Sequence, residues 1–185
     1  MIKIKLGISS CLLGINVRYD GGHMLDSFLK DTLGAYVEYV PVCPEVECGL
    51  GVPRESMRLE REPENPRLVT TFSRQDKTGL LVEWARKRVV ELEAKNLCGF
   101  IFKSGSPSCG MERVKVYNKN GMAVKTGIGI FARIFMEHFP LLHVGDDERL
   151  QDPILRKNFI VKLQFRKRSV SELVSCNETQ LSGTK

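Results

Sequence analysis

Three apolar runs, Ile2–Ile8, Tyr36–Val42 and Cys98–Phe102, each lead into a loop that carries cysteine. This repetition limits the folds open to the chain more than any other feature. Short runs of this kind read as buried strands. Between the first two, Met24–Leu33 places apolar residues at helical spacing, with Gly34 as its C-cap. Strand, helix, strand in that order is a βαβ unit, and its right-handed crossover sets the loops after the two strands on one edge of a parallel sheet. A third parallel strand would bring its loop to the same carboxyl edge, where open α/β sheets place their ligand sites. The expected fold is therefore α/β, with a mainly parallel sheet and the cysteine loops at its carboxyl edge.

The remaining chain fits around that sheet. From Gly49 to Gln75 the pattern is broken by Pro53, Pro63 and Pro66, with short runs at Met57–Leu59 and Leu68–Phe72. This reads as an excursion, a hairpin able to act as a lid. Asp76 stands as the N-cap of a long helix to about Asn96, with Leu81, Trp84, Ala85, Val89 and Leu92 on one face. Val114–Tyr117 reads as a strand ending in an Asn118–Gly121 turn. Gly127–Phe139 reads as a helix with Ile130, Ile134 and Phe135 inward, and Pro140–Val144 as a last strand. A further helix is expected from Asp152, with Pro153 in its first turn, followed by a polar tail from Ser169 to Lys185 without a buried face.

A chain of 185 residues fits one domain of ordinary core size with a short addition. No apolar stretch reaches the length of a membrane span, and Met1–Lys5 alternates like a strand rather than building a signal-peptide core. The expected location is the cytoplasm, away from membranes. In a reducing compartment six cysteines are not read as three disulfides. They are read as buried thiols, metal or cluster ligands, or catalytic thiols. The formal charge of +6 is spread along the chain, and its densest runs, Arg86–Arg88 and Arg166–Arg168, read as solvated helix faces. Charge is thus only a weak hint of a nucleic-acid partner.

The chemistry is densest at Val42–Gly49, where two thiols and two carboxylates fall within the six residues Cys43 to Cys48. Pro44 cannot carry a ladder hydrogen bond and stops the strand before it. Glu45 and Glu47 would ordinarily be surface residues. Beside soft ligands at a strand end, Glu45, two residues from Cys43, is the general-base candidate. In Lys103–Gly110 the serines 104, 106 and 108 surround Gly105 and Pro107, which is either a polar turn or a set of hydroxyls and amides for a small ligand near Cys109. Asp20 is either a turn residue or a site carboxylate. Cys98 has the apolar context of a buried thiol, and Cys176 has no assigned role. No Cys-x-x-Cys pair is present, and His23 is the one histidine near these loops, so neither a zinc ribbon nor a Cys-His or Ser-His-Asp assembly gains support.

Several separated motifs, in order, resemble one family. Ser9-Ser10-Cys11-Leu12-Leu13-Gly14, Val17-Arg18-Tyr19-Asp20-Gly21, Val42-Cys43-Pro44-Glu45-Val46, Pro53-Arg54 and Ser106-Pro107-Ser108-Cys109-Gly110 are similar to a widespread prokaryotic domain family, long of unknown function, that includes the thiouracil desulfidases. The similarity spans about Ile4 to His138. It implies a Rossmann-like, three-layer α/β domain that binds a [4Fe-4S] cluster through Cys11, Cys43 and Cys109, with Glu45 and Ser106 as catalytic residues. Cys48 then becomes an accessory thiol or alternative ligand, and Asp20, Ser108 and Lys103 are accessory candidates. The implied reaction is non-redox: the iron without a protein ligand polarises the thiocarbonyl of a substrate such as 2-thiouracil, Glu45 activates water, Ser106 orients or protonates, and sulfide is captured on the open iron. Two further functions are carried beside it, a non-catalytic iron-sulfur or zinc binding module and a sulfur carrier acting on a thiolated nucleotide or tRNA. The segment from Phe139 resembles the junction into a second domain of unknown function, so the expected division is a cluster-binding domain over 1–138 and a truncated, partly disordered second domain over 139–185.

Overall fold

The computed structural model describes residues 4–166. Its main sheet holds β1 (Ile4–Ser9), β2 (Val37–Val42), β5 (Gly99–Phe102) and β8 (His143–Asp146) in the order β2-β1-β5-β8. Every pairing in it is parallel. The register carries the expected geometry: Ser9 lies opposite Val42, Ile8 opposite Ile101 and Phe102 opposite Asp146. The strand ends are therefore level, and the chain leaves the sheet on one edge at Ser10, Cys43 and Lys103. β8 is the expected last strand, shifted from Pro140–Val144, and it adds a fourth segment to that edge.

Side chains alternate across the sheet as the two-residue repeat of a strand requires. Phe100 and Phe102 point to one face, where they meet Phe131 and Phe135 of α3 (Ile130–His138) and Ala85, Val89 and Leu92 of α2 (Thr78–Glu93). Leu6, Ile8 and Ile101 point to the other, against Leu29, Leu33, Phe159 and Leu163. Helices thus cover both faces. Gly7 is a glycine because a Cβ there would lie 2.2 Å from the Phe100 ring.

A second sheet accompanies the first. β3 (Met57–Glu60) and β4 (Arg67–Thr70) are the hairpin expected in the proline-broken excursion, and β6 (Val114–Tyr117) and β7 (Ala123–Gly127) form another around the Asn118–Gly121 turn. β3 and β6 join in parallel, giving the order β4-β3-β6-β7. Leu59, Leu68, Val114 and Val116 pack on Leu81 of α2 and Ile130 of α3. The excursion is thus built into a packed sheet rather than hanging as a lid.

Two expected elements differ and one is new. Met24–Leu33 is not one helix: Met24 N donates to Cys11 O and Asp26 N to Leu12 O, so the backbone stays extended against the turn after β1. Helical structure starts near Ser27 as a π turn, Phe28–Thr32, followed by a 3-10 turn, Leu33–Ala35, that contains Gly34. The expected helix Gly127–Phe139 starts at Ile130 because Gly127 ends β7 and Gly129 is the N-cap. A short helix, α1 (Pro44–Glu47), follows β2 with Pro44 at its first turn. α2 forms close to its expected bounds. Asp76 Oδ1 accepts Thr78 N at 2.9 Å.

Residues 153–166 form a helix, α4, with Asp152 Oδ1 accepting the amides of Ile154 and Leu155. The junction expected at 138/139 falls between α3 and β8. Beyond it β8 pairs along β5, and Leu150, Phe159 and Leu163 join the core of Leu6 and Ile8. The expected disorder of the tail, and Cys176, lie outside the described residues. Among the described residues, no helix is long and apolar enough to cross a membrane.

Candidate active site

A cavity of about 390 Å³ opens at the carboxyl edge of the main sheet. Cys11, Cys43 and Cys109 all line it, each delivered by the loop after a different strand, as the parallel arrangement requires. Cys11 sits in the 3-10 turn Ser10–Leu13 and Cys43 caps α1. Cys109 ends a turn in which Ser106 Oγ accepts the amides of Ser108 and Cys109, at 3.2 and 3.1 Å. Burial raises the Cys11 thiol to about 11, with the neighbouring Cys43 adding to the effect. Burial also raises Cys43, and pushes Cys109 well above the usual thiol range with Cys43 the next contributor.

Three soft donors therefore share one cavity in their protonated state. Among the described residues no group of three His, Cys, Asp or Glu is close enough to hold a single metal ion. Thiolates are ligands of iron-sulfur clusters and soft metal ions, and a positively charged group bound there would remove their protons. Cys11, Cys43 and Cys109 are the candidates to hold such a group. Cys48 does not line the cavity. Its thiol donates to Glu45 O at 3.4 Å, and burial, then the Glu45 charge, raises it to about 11.

The two carboxylates of α1 have different surroundings. Glu47 reaches back to the Cys43 amide at 2.8 Å and faces Arg88 Nε of α2 at 3.1 Å, while burial raises its carboxyl. It holds α1 in place. Glu45 lines the cavity, and both its oxygens are engaged: Arg54 Nε and Nη2 donate to Oε2 at 2.9 and 2.6 Å, and Ser108 Oγ donates to Oε1 at 2.6 Å. Arg54 also donates to Gly51 O and Val17 O, and its amide donates to Tyr19 O. One side chain thus ties the carboxylate to the loop after β1.

Ser106 lines the cavity, whereas Ser108 is fully buried behind it. Lys103 lines the cavity, but its ammonium donates to Ser104 O, Ser104 Oγ and Asp147 Oδ2, and Asp147 Oδ1 accepts Ser104 N. Lys103 fastens its loop to the end of β8. Asp20 accepts Gly22 N at 3.0 Å, a bond that holds its carboxyl below the usual range, and it does not line the cavity. The loop of Cys109 is held from below by α3. Gly129 N donates to Gly110 O, Ile130 N to Pro107 O, and the amides of Phe131 and Ala132 to Ser108 O, so helix-terminal donors that lack partners within the helix find them in the site.

Sequence reasoning did not assign roles to Arg54 or Asp147. Pro53-Arg54 belongs to the family-like motifs, but nothing in its spacing points to Glu45. Asp147 had no signal beyond its place after a strand.

The 2-thiouracil desulfurase family model matches residues 6–147. The uncharacterized protein YbbK of Bacillus subtilis (strain 168) is 30% identical over 135 residues, which cover 70% of this chain and 88% of that protein. The solved structure of the [4Fe-4S]-dependent thiouracil desulfidase TudS is similar with a TM-score of 0.66 at 32% identity, covering 86% of this chain and 99% of that one.

Proposed function

The chain belongs to the 2-thiouracil desulfurase family, and from that premise we propose that it is a desulfidase that replaces the sulfur of a thiolated pyrimidine such as 2-thiouracil with oxygen from water. Cys11, Cys43 and Cys109 would hold a [4Fe-4S] cluster in this reading, which the cluster dependence of TudS supports. When bound, such a cluster supplies a thiophilic Lewis acid at the substrate sulfur without net electron transfer.

The protein's own part is proton management. Arg54 takes both acceptor directions of Glu45 Oε2, and Ser108 takes one of Oε1. The remaining acceptor position on Oε1 is where a water proton would go as the water oxygen bonds to the thiocarbonyl carbon. Ser106 accepts two backbone amides, which directs its own hydroxyl hydrogen away from them. That hydrogen is the donor for the departing sulfur or the ring. The carbon–sulfur bond breaks as the new carbonyl forms, and sulfide and uracil are the products.

The observation that carries this reading is the immobilised Glu45 carboxylate on the wall that the three cysteines also line. The test is uracil formation from 2-thiouracil by the anaerobically reconstituted protein, with iron counted in each variant. Glu45→Gln should keep its iron and lose roughly 10²- to 10⁴-fold in kcat. Near-normal turnover by a fully loaded variant would exclude Glu45 as the base. A wild type that binds iron and sulfide but converts nothing would leave a non-catalytic binding module.

A further inference from the structure

We infer that Ser10 and Tyr19 form the recognition face of this cavity, the Tyr19 ring stacking on an uncharged pyrimidine while the Ser10 hydroxyl bonds the polar edge of the base. The inference rests on the desulfidase reading and adds to it the residues that select the substrate.

Ser10 is 6% exposed and lines the cavity, and among the described residues its hydroxyl has no hydrogen-bond partner. Among the described residues the buried side-chain atoms without hydrogen-bond partners belong to Arg88 and Arg133, so the Ser10 hydroxyl is open to the cavity. The other polar groups of the wall are already committed. Ser9 Oγ accepts Lys103 N, Ser56 Oγ donates to Thr71 Oγ1, the Lys103 ammonium serves Ser104 and Asp147, and Arg54 serves Glu45, Gly51 and Val17. Ser106 and Glu45 are assigned to the chemistry. Beside the Tyr19 phenol, Ser10 is the wall hydroxyl that bonds no protein group among the described residues, and it reads the polar edge of the ring.

Tyr19 is the one aromatic residue among the described residues that line the cavity, and it is 42% exposed. The Arg18 guanidinium carbon lies 5.5 Å from its ring centroid. Its carbonyl accepts Arg54 N at 2.8 Å, so the ring's backbone and the Glu45 carboxylate are held by the same arginine. A base stacked on Tyr19 is thus placed relative to the proton acceptor. Met24 and Met57 add soft apolar surface to the wall.

Charge decides between a free base and a phosphorylated one. The cations of the wall are each paired with a carboxylate: Arg18 with Asp20 at 3.4 Å, Arg54 with Glu45 at 2.6 Å and Lys103 with Asp147 at 2.8 Å. Among the described residues no unpaired cation lines the cavity to hold a phosphate. A neutral planar ring fits better.

The test uses the cluster-loaded protein under anaerobic conditions, with three readouts: the Kd for uracil by equilibrium dialysis, kcat and KM for 2-thiouracil, and iron per chain. Tyr19→Leu should raise the uracil Kd and the KM together by roughly 5- to 150-fold, the range for losing one base-aromatic stack, while kcat falls far less and iron is unchanged. Tyr19→Phe, which keeps the ring, should recover most of that loss. Ser10→Ala should raise the uracil Kd by roughly 2- to 10-fold. An unchanged uracil Kd in Tyr19→Leu, or a Phe variant as weak as the Leu variant, would overturn the inference. A wild type that binds uracil with these sensitivities but makes none from 2-thiouracil would support the recognition face and overturn the reaction.

Discussion

The Ser108 hydroxyl is fully buried and donates to Glu45 Oε1 at 2.6 Å. Removing it leaves a carboxylate oxygen short of a donor at a largely desolvated position, which costs about 1–3 kcal/mol. Ser108→Ala should therefore lower the unfolding free energy of the reduced, metal-free protein by that amount, read as a lower urea midpoint at constant m-value, whereas an unchanged midpoint would mean that Oε1 has no need of the bond. The two serines of this turn divide the work. Ser106 shapes the turn through two amides and faces the cavity, while Ser108 orients the carboxylate from behind. Glu45 is legible in the sequence because it sits two residues from Cys43 at a strand end. Arg54, nine residues further on, is not, because its partner is chosen by how the loop folds back in space.

At the scale of elements, α3 supports the site through its first turn. A Cβ on Gly129 would stand 2.6 Å from Ser108 C and O and 2.9 Å from Cys109 N. These are backbone atoms, so either the helix or the cysteine turn has to move. Gly129→Ala should destabilise the protein by about 1–3 kcal/mol, the range for overpacking, and should lower iron retention after anaerobic reconstitution. Gly79 in α2, where an added Cβ meets nothing within 4 Å, serves as the control. Gly79→Ala should keep its iron and be as stable as wild type or up to about 1 kcal/mol more so. Loss of stability in Gly129→Ala without loss of iron would show that the helix and the cysteine turn are not coupled. The long helix α2 and the buried strands are legible from periodicity. Met24–Leu33 is misread because its apolar residues follow helical spacing for another reason: Met24 lines the cavity while Leu29 and Leu33 enter the core.

For the molecule as a whole, the buried thiols link stability to pH and, in the proposed cluster reading, to metal. In the metal-free protein, burial raises Cys11 and Cys48 to about 11 from an ordinary value of 9.0, and Cys43 and Cys109 shift the same way. A group whose folded value is raised contributes stability that is fully present below its unfolded value and lost as the pH climbs through the folded one. The urea midpoint of the metal-free protein should therefore hold up to about pH 9 and fall between pH 9 and 11. If Cys11, Cys43 and Cys109 hold the proposed cluster, they are already deprotonated in the loaded protein, and the fall should be shallower. Equal slopes with and without the cluster would mean that Cys11, Cys43 and Cys109 are not its ligands. What the sequence by itself determined was the parallel sheet, the edge at which three cysteines leave it, and the carboxylate beside Cys43. Those follow from local period, turn chemistry and the handedness of the crossover, all of which act over short stretches of chain. Only the tertiary structure decided that β3 pairs with β6 in a second sheet, that Lys103 meets Asp147 and Glu45 meets Arg54, and that Ser10 keeps a free hydroxyl at the cavity. These depend on which distant segments become neighbours once the apolar faces of the sheet are buried.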